Sequence, residues 1–156
     1  MTKRTASAWV VKNPWALAGG VALCSMGTLA GSAAERGFSE RSVAGAWSYA
    51  GSSGLLVPPA APEPTPAATV GIFYFDGEGG CSAHGFVNVL GSTVETETLE
   101  CSYSVRRDGF GTAEATFTNA PIDDPFPFTF VIGDGGRELS IMNTKYVVGM
   151  LTAKRR

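Results

Sequence analysis

The stretch Cys81-Ser82-Ala83-His84-Gly85-Phe86-Val87-Asn88-Val89-Leu90-Gly91-Ser92-Thr93-Val94-Glu95-Thr96-Glu97-Thr98-Leu99-Glu100-Cys101 decides the fold. Residues alternate in character on both sides of a Gly91-Ser92 break, the period-two mark of two half-buried strands joined by a tight turn. A cysteine stands at each outer end. If Cys81 faces Cys101, paired positions sum to 182, Val89 opposes Thr93, and Leu90-Gly91-Ser92 is a three-residue hairpin loop of ordinary length. Directly opposed cross-strand residues place both sulfurs on one face, so the spacing predicts a Cys81–Cys101 disulfide. Closing a loop of about twenty residues, it contributes on the order of 3 kcal/mol in the chain-entropy model.

The same alternation runs through the rest of the chain. Strands are predicted over 46–56, 69–76, 82–90, 94–105, 112–118, 126–132, 138–142 and 146–153, with no segment of helical period between them. Phe126, Phe128, Phe130 and Ile132 share one face of their strand, as Leu139 and Ile141 do on theirs. Asp76-Gly77-Glu78-Gly79-Gly80, Asp108-Gly109, Asp134-Gly135-Gly136 and Asn143-Thr144 supply the turns. About eight antiparallel strands with hairpin-short connections predict one all-β domain, an up-and-down barrel that leaves no free edge. A two-sheet sandwich is the alternative. The proline-rich run 58–66 has too few residues before it for a separate core, and so is expected to be an extended, solvated loop within the domain.

Residues 1–34 read as a secretory signal peptide. Lys3, Arg4 and Lys12 are the only charges before Glu35, residues 16–30 are mostly Ala, Leu, Val and Gly, and Ser32 and Ala34 fit the small-residue exit. An uncleaved anchor is the alternative, although Pro14 and four glycines make a poor spanning helix. Cys24 follows Leu23, which is too large for a lipoprotein cleavage site. The domain proper is then 35–156. Losing 1–34 removes three cations and no anions from the 12 Lys+Arg and 14 Asp+Glu, leaving a net charge of −5. That acidic balance offers no footprint for nucleic acid, and no stable membrane insertion is expected once the leader is gone. An oxidising compartment, the periplasm or the exterior, suits a pair of cysteines.

Gly45-Ala46-Trp47 opens the first predicted strand, and Lys154-Arg155-Arg156 follows the last. This resembles the lipocalin/calycin arrangement, in which a Gly-x-Trp closes one barrel end under a basic residue from the last strand. The resemblance implies that Trp47 lies beneath Lys154 or Arg155. Phe73-Tyr74-Phe75-Asp76-Gly77-Glu78-Gly79 and Val148-Gly149-Met150-Leu151-Thr152-Ala153-Lys154-Arg155 are similar to a family of small secreted bacterial proteins of unassigned activity. That likeness covers most of the chain after residue 34. Barrels of this kind include binding proteins and allene-oxide-cyclase-like enzymes, so the fold alone does not choose between them.

Chemistry-bearing residues are sparse. One histidine, no Cys-x-x-Cys and no Asp-rich calcium loop argue against a metal site, and no cofactor motif is present. His84 falls on the less apolar face of its strand and is expected to point outward. Glu95 and Glu97 share a face with Leu99, Cys101 and Tyr103 in a regular strand, which would bring two carboxylates inside near the open end. There, with Tyr103, they are candidate ligand-binding residues and candidate proton-handling groups; Phe128 and Phe130 would complete the ligand-binding set by lining the cavity. A bulge would turn both carboxylates to solvent instead. The expected function is therefore binding of a small apolar or amphipathic molecule inside the barrel. An isomerase or cyclase acting on a lipid or polyketide, and a filled barrel with a structural or surface-interaction role, are the alternatives.

Overall fold

Alternation along the chain becomes nine strands in the computed structural model, which describes residues 37–156. The segment read as a signal peptide, with its cleavage site and Cys24, lies outside the described residues. The strands are β1 (Gly45–Leu56), β2 (Thr65–Phe75), β3 (Cys81–Val89), β4 (Ser92–Val105), β5 (Phe110–Phe117), β6 (Phe126–Gly133), β7 (Glu138–Asn143), β8 (Val147–Val148) and β9 (Met150–Arg155). Gly149, with φ of 151°, interrupts what is otherwise one last strand, so β8 and β9 share a single place in the sheet. From β1 to β7 each strand pairs antiparallel with the next, β7 pairs with β9, and β1 closes the sheet by pairing with β8 and β9 as well as β2. Trp47 to Ala50 lie opposite Arg155 to Thr152. The result is a closed, up-and-down barrel of eight strand positions, and the sandwich alternative falls.

Strand alternation fills one half of this barrel. Trp47, Tyr49, Phe73, Phe75, Ala83, Tyr103, Phe130, Ile132, Leu139, Ile141 and Ala153 point inward and form one buried cluster. The Phe75 and Tyr103 rings meet edge to face at 4.8 Å between centroids, a favoured aromatic geometry.

The chain entering β1 seals that end. A short 3-10 turn (Glu40–Ser42) crosses the opening, and Val43 behind it is fully buried. Trp47 is also fully buried; its indole Nε1 donates to the Val43 carbonyl at 2.6 Å. Above the indole lies the Arg155 guanidinium, 4.7 Å from the ring centroid, which also donates to the Ser42 carbonyl. The Tyr103 hydroxyl accepts the Gly77 N–H at 2.9 Å and donates to the Glu40 carbonyl at 3.2 Å. Lys154, expected as an alternative partner for Trp47, faces outward and sits 3.9 Å from Glu138. Period two allows only one of two neighbouring residues to reach the ring, and it is Arg155.

The β3–β4 hairpin corrects the predicted register. At the turn Val89 opposes Ser92 and His84 opposes Glu97, so positions sum to 181 and the loop is the two-residue Leu90-Gly91. At the other end Gly80 opposes Ser102, which restores 182 and brings Cys81 to Cys101, bonded with Cα atoms 5.0 Å apart. One extra residue in β4 absorbs the difference. Opposite β5 the pairing steps from Thr98↔Phe117 to Glu100↔Thr116, leaving Leu99 as a bulge that is 67% exposed.

Four connections gather at the opposite end: the stretches 57–64, 90–91, 118–125 and 144–146. The proline-rich segment is less of a free loop than expected. Thr65 and Pro66 already belong to β2, paired with Leu56 and Leu55, while Ala60 and Ala61 are buried. Ala60 packs with Phe126 and the fully buried Tyr146 in a second, smaller apolar cluster. The Val57 N–H donates to the Tyr146 carbonyl at 3.0 Å, tying that loop to the one before β8.

Candidate functional site

Above the packed half the barrel holds a cavity of about 600 Å³. Its deeper surface is formed by Tyr49, Phe73, Phe128, Ile141 and Leu151, one from each of β1, β2, β6, β7 and β9. Val87, Val89, Val94, Thr96, Phe117 and Phe126 make the walls, and Leu56, Ala60, Pro62, Glu63, Leu90 and Asn119 stand among the residues toward the loops. Every strand contributes, because inward positions of an up-and-down barrel converge on its axis. Small residues create the space: Gly51, Gly54, Ala67 and Ala68 line the side made by β1 and β2.

Tyr49 explains a pair of glycines at the bottom of this space. Gly71 lies opposite both Tyr49 in β1 and Gly85 in β3. A Cβ on Gly71 would come within 2.6 Å of the Tyr49 hydroxyl and one on Gly85 within 2.4 Å, so the phenol lies against bare backbone. Burial pushes the phenol above its usual range, with the Thr69 hydroxyl working in the other direction. At neutral pH Tyr49 is therefore a neutral polar group in an aromatic floor.

The carboxylates singled out by the sequence are not in the cavity. Because Leu99 bulges, Val94, Thr96 and Thr98 turn inward while Glu95 and Glu97 project from the outer face. Glu95 pairs there with His84 Nε2 at 2.7 Å, both side chains more than half exposed. His84 is thus on the outer face, as its strand pattern predicts. Tyr103 and Phe130 belong to the packed half, Tyr103 as part of the seal. Of the five residues expected to meet a ligand, Phe128 alone lines the cavity. Tyr49, Phe73, Phe117 and Phe126 line it as well; strand alternation puts them inside, but nothing in the sequence says at which height along the axis.

Asn143, whose sequence context suggests only a turn, is a buried polar group of this site. It ends β7, is 7% exposed, and forms part of the cavity wall. Its Oδ1 accepts the backbone N–H groups of Lys145, Tyr146 and Val147 at 3.0, 2.6 and 3.0 Å. That oxygen shapes the loop that buries Tyr146, whose hydroxyl donates to Asp124 at 2.9 Å.

Electrostatically the cavity is plain. Among the described residues Glu63 is the single charged one lining it, and no lysine, arginine or histidine does so. No group of three or more His, Cys, Asp or Glu among the described residues could hold a metal ion. No helix among them is long and apolar enough to cross a membrane. What this arrangement can do is desolvate a small apolar molecule and orient it through a few neutral polar groups. Set against known proteins, the chain matches no family model, no curated protein and no solved structure, so its function has to be argued from this cavity.

Proposed function

We propose that the protein binds a small apolar or amphipathic molecule in the open half of its barrel, in an extracytoplasmic compartment. The observation that carries this reading is the cavity itself: about 600 Å³, walled by aromatic and aliphatic side chains from every strand. That volume falls within the roughly 300–1,000 Å³ of small-molecule sites. A barrel built only for stability would fill this space, since unfilled apolar volume is costly. The indole of Trp47 beneath Arg155 is in keeping with a calycin-like barrel, whose open end commonly serves binding. The Cys81–Cys101 bond suits an oxidising compartment and a secreted or periplasmic protein.

Catalysis of the allene-oxide-cyclase type has less to support it. General acid–base chemistry needs a titratable group within reach of the reacting atoms. Glu95 and Glu97 are outside and Tyr103 is in the seal; of the titratable groups that line the cavity, Glu63 stands exposed on the 57–64 loop and burial makes Tyr49 a poor base, so no acid–base pair is assembled over the aromatic floor. The filled-barrel alternative fits only the closed half.

Fluorescence titration with phenylnaphthylamine, a neutral apolar dye, tests the reading. One saturable site is expected. Val87→Trp, which fills the cavity from β3, should weaken it at least tenfold while the far-ultraviolet spectrum keeps its strand signature. The double change Glu95→Gln, Glu97→Gln should leave it unaltered. Saturable binding that survives Val87→Trp intact, or no saturable binding together with no co-purified small molecule by native mass spectrometry, overturns the proposal.

A further inference from the structure

We propose that a second copy of this chain packs on the outer face of β1–β3, the two β2 strands lying against each other along a twofold axis. Val70, Ile72 and Tyr74 project outward from β2 and Phe86 from β3, each between 38 and 56% exposed. Register makes them one patch. Val70 lies opposite Phe86, and on the other side Ala50, Ser48 and Ala46 of β1 lie opposite Val70, Ile72 and Tyr74. Single exposed apolar side chains are ordinary, but four on adjoining positions of one face mark an interaction surface.

Charge says what covers it. On one side β4 presents outward Glu95 and Glu97, opposite Phe86 and His84. On the other β9 presents exposed Lys154, opposite Ser48, with exposed Arg156 beside it. The patch thus has an acidic edge and a basic edge, and β2 runs midway between them. Such a face is complementary to itself, as a twofold interface requires. An axis along β2 keeps every residue at its height on the strand and exchanges the two edges. Lys154, Ser48, Ile72, His84 and Glu97 share one height, so Lys154 of each copy meets Glu97 of the other. Ala50, Val70 and Phe86 share the next, so the Phe86 ring meets small Ala50. A twofold axis across the strands would instead set carboxylates on carboxylates. Packed sheets also favour nearly aligned strands. Both faces are convex and part toward their edges, a gap that long lysine and glutamate side chains can bridge. Within its own chain Lys154 is 3.9 Å from Glu138 at the surface, a contact too weak to withhold it.

Sedimentation equilibrium of the purified protein tests this. The wild type should form dimers with a Kd below about 100 µM. Ile72→Glu sets two carboxylates against each other on the axis and should leave a monomer whose far-ultraviolet spectrum is unchanged. Glu97→Lys and Lys154→Glu each bring like charges together twice per dimer and should each raise Kd at least about tenfold. An equimolar mixture of those two variants should dimerise within about threefold of the wild type, because both contacts then join opposite charges. Rescue in the mixture also shows that neither single variant is misfolded. A wild type that stays monomeric at about 200 µM overturns the proposal. So does a dimer that survives Ile72→Glu, or a mixture that associates no better than either variant alone.

Discussion

The Asp76 side chain organises the β2–β3 turn from within. One carboxylate oxygen accepts the N–H groups of Glu78, Gly79 and Gly80 at 2.7, 3.0 and 3.0 Å. Those bonds, the one from Glu78 foremost, hold the carboxyl below its usual range against some opposing desolvation. Glu40 at the seal is held low in the same way, chiefly by the Val105 N–H. A carboxylate whose folded value is depressed adds stability that is complete above its ordinary range, near 4. That stability drains away as pH falls through the depressed folded value. Thermal unfolding followed from pH 6 to pH 2 should therefore show a falling Tm below about pH 4. Asp76→Asn should lower Tm at pH 6 and flatten the acid limb, because its amide oxygen still accepts but carries no charge. An acid limb identical in variant and wild type would assign the drop to other carboxylates. The Asp-Gly-rich turn was legible in the sequence; that one side chain satisfies three donors was not, since nothing in spacing says where an oxygen points.

At the level of the hairpin, one residue separates what could be read from what could not. Alternation, the two strands and the Cys81–Cys101 pair were all legible, because burial of one face and sulfur geometry both have fixed periods. Leu99 was not recognisable as a bulge. Polar and apolar residues on either side alternate acceptably in both registers, and an exposed extra residue leaves no gap in the pattern. The clue lay in the cost of the regular reading, which would have buried Glu95 and Glu97 without partners. The turn itself carries a testable residue of that shift. Leu90 and Gly91 have φ of 50° and 86°, both left-handed, as a two-residue hairpin turn requires. Leucine is a poor choice there, and it is 78% exposed, so little packing compensates. Leu90→Asn should raise stability by about 1 kcal/mol in urea unfolding. A loss of stability would mean that Leu90 contributes more by covering the cavity than it costs in backbone strain.

The barrel as a whole divides into a packed half and a hollow half, and the division should appear in its motions. Barrel closure was legible from short connections, and the Trp47 seal followed from the resemblance carried by Gly45-Ala46-Trp47 and Lys154-Arg155. Whether the interior was open could not be read, since inward positions spell only which residues meet, not whether they fill the space between them. In the structure Trp47, Leu139 and Ala153 have no exposure at all, whereas Val87, Val89, Val94 and Thr96 face the cavity. Local stability follows buried apolar contact, so amides around the cavity should open at lower free energy than those around the seal. The loops above it share this weakness, since Ala60, Phe126 and Tyr146 form a cluster far smaller than the main one. Hydrogen exchange of the protein without ligand should therefore be graded along each strand. Amides of Phe75, Leu139 and Ala153 should exchange most slowly, and those of Val87 to Thr96 at least tenfold faster. Saturation with phenylnaphthylamine should slow the second group far more than the first, because a ligand stabilises most where it replaces missing contacts. Exchange that is uniform along the strands, or ligand protection spread evenly over both halves, would show one cooperative unit whose cavity is as rigid as its core.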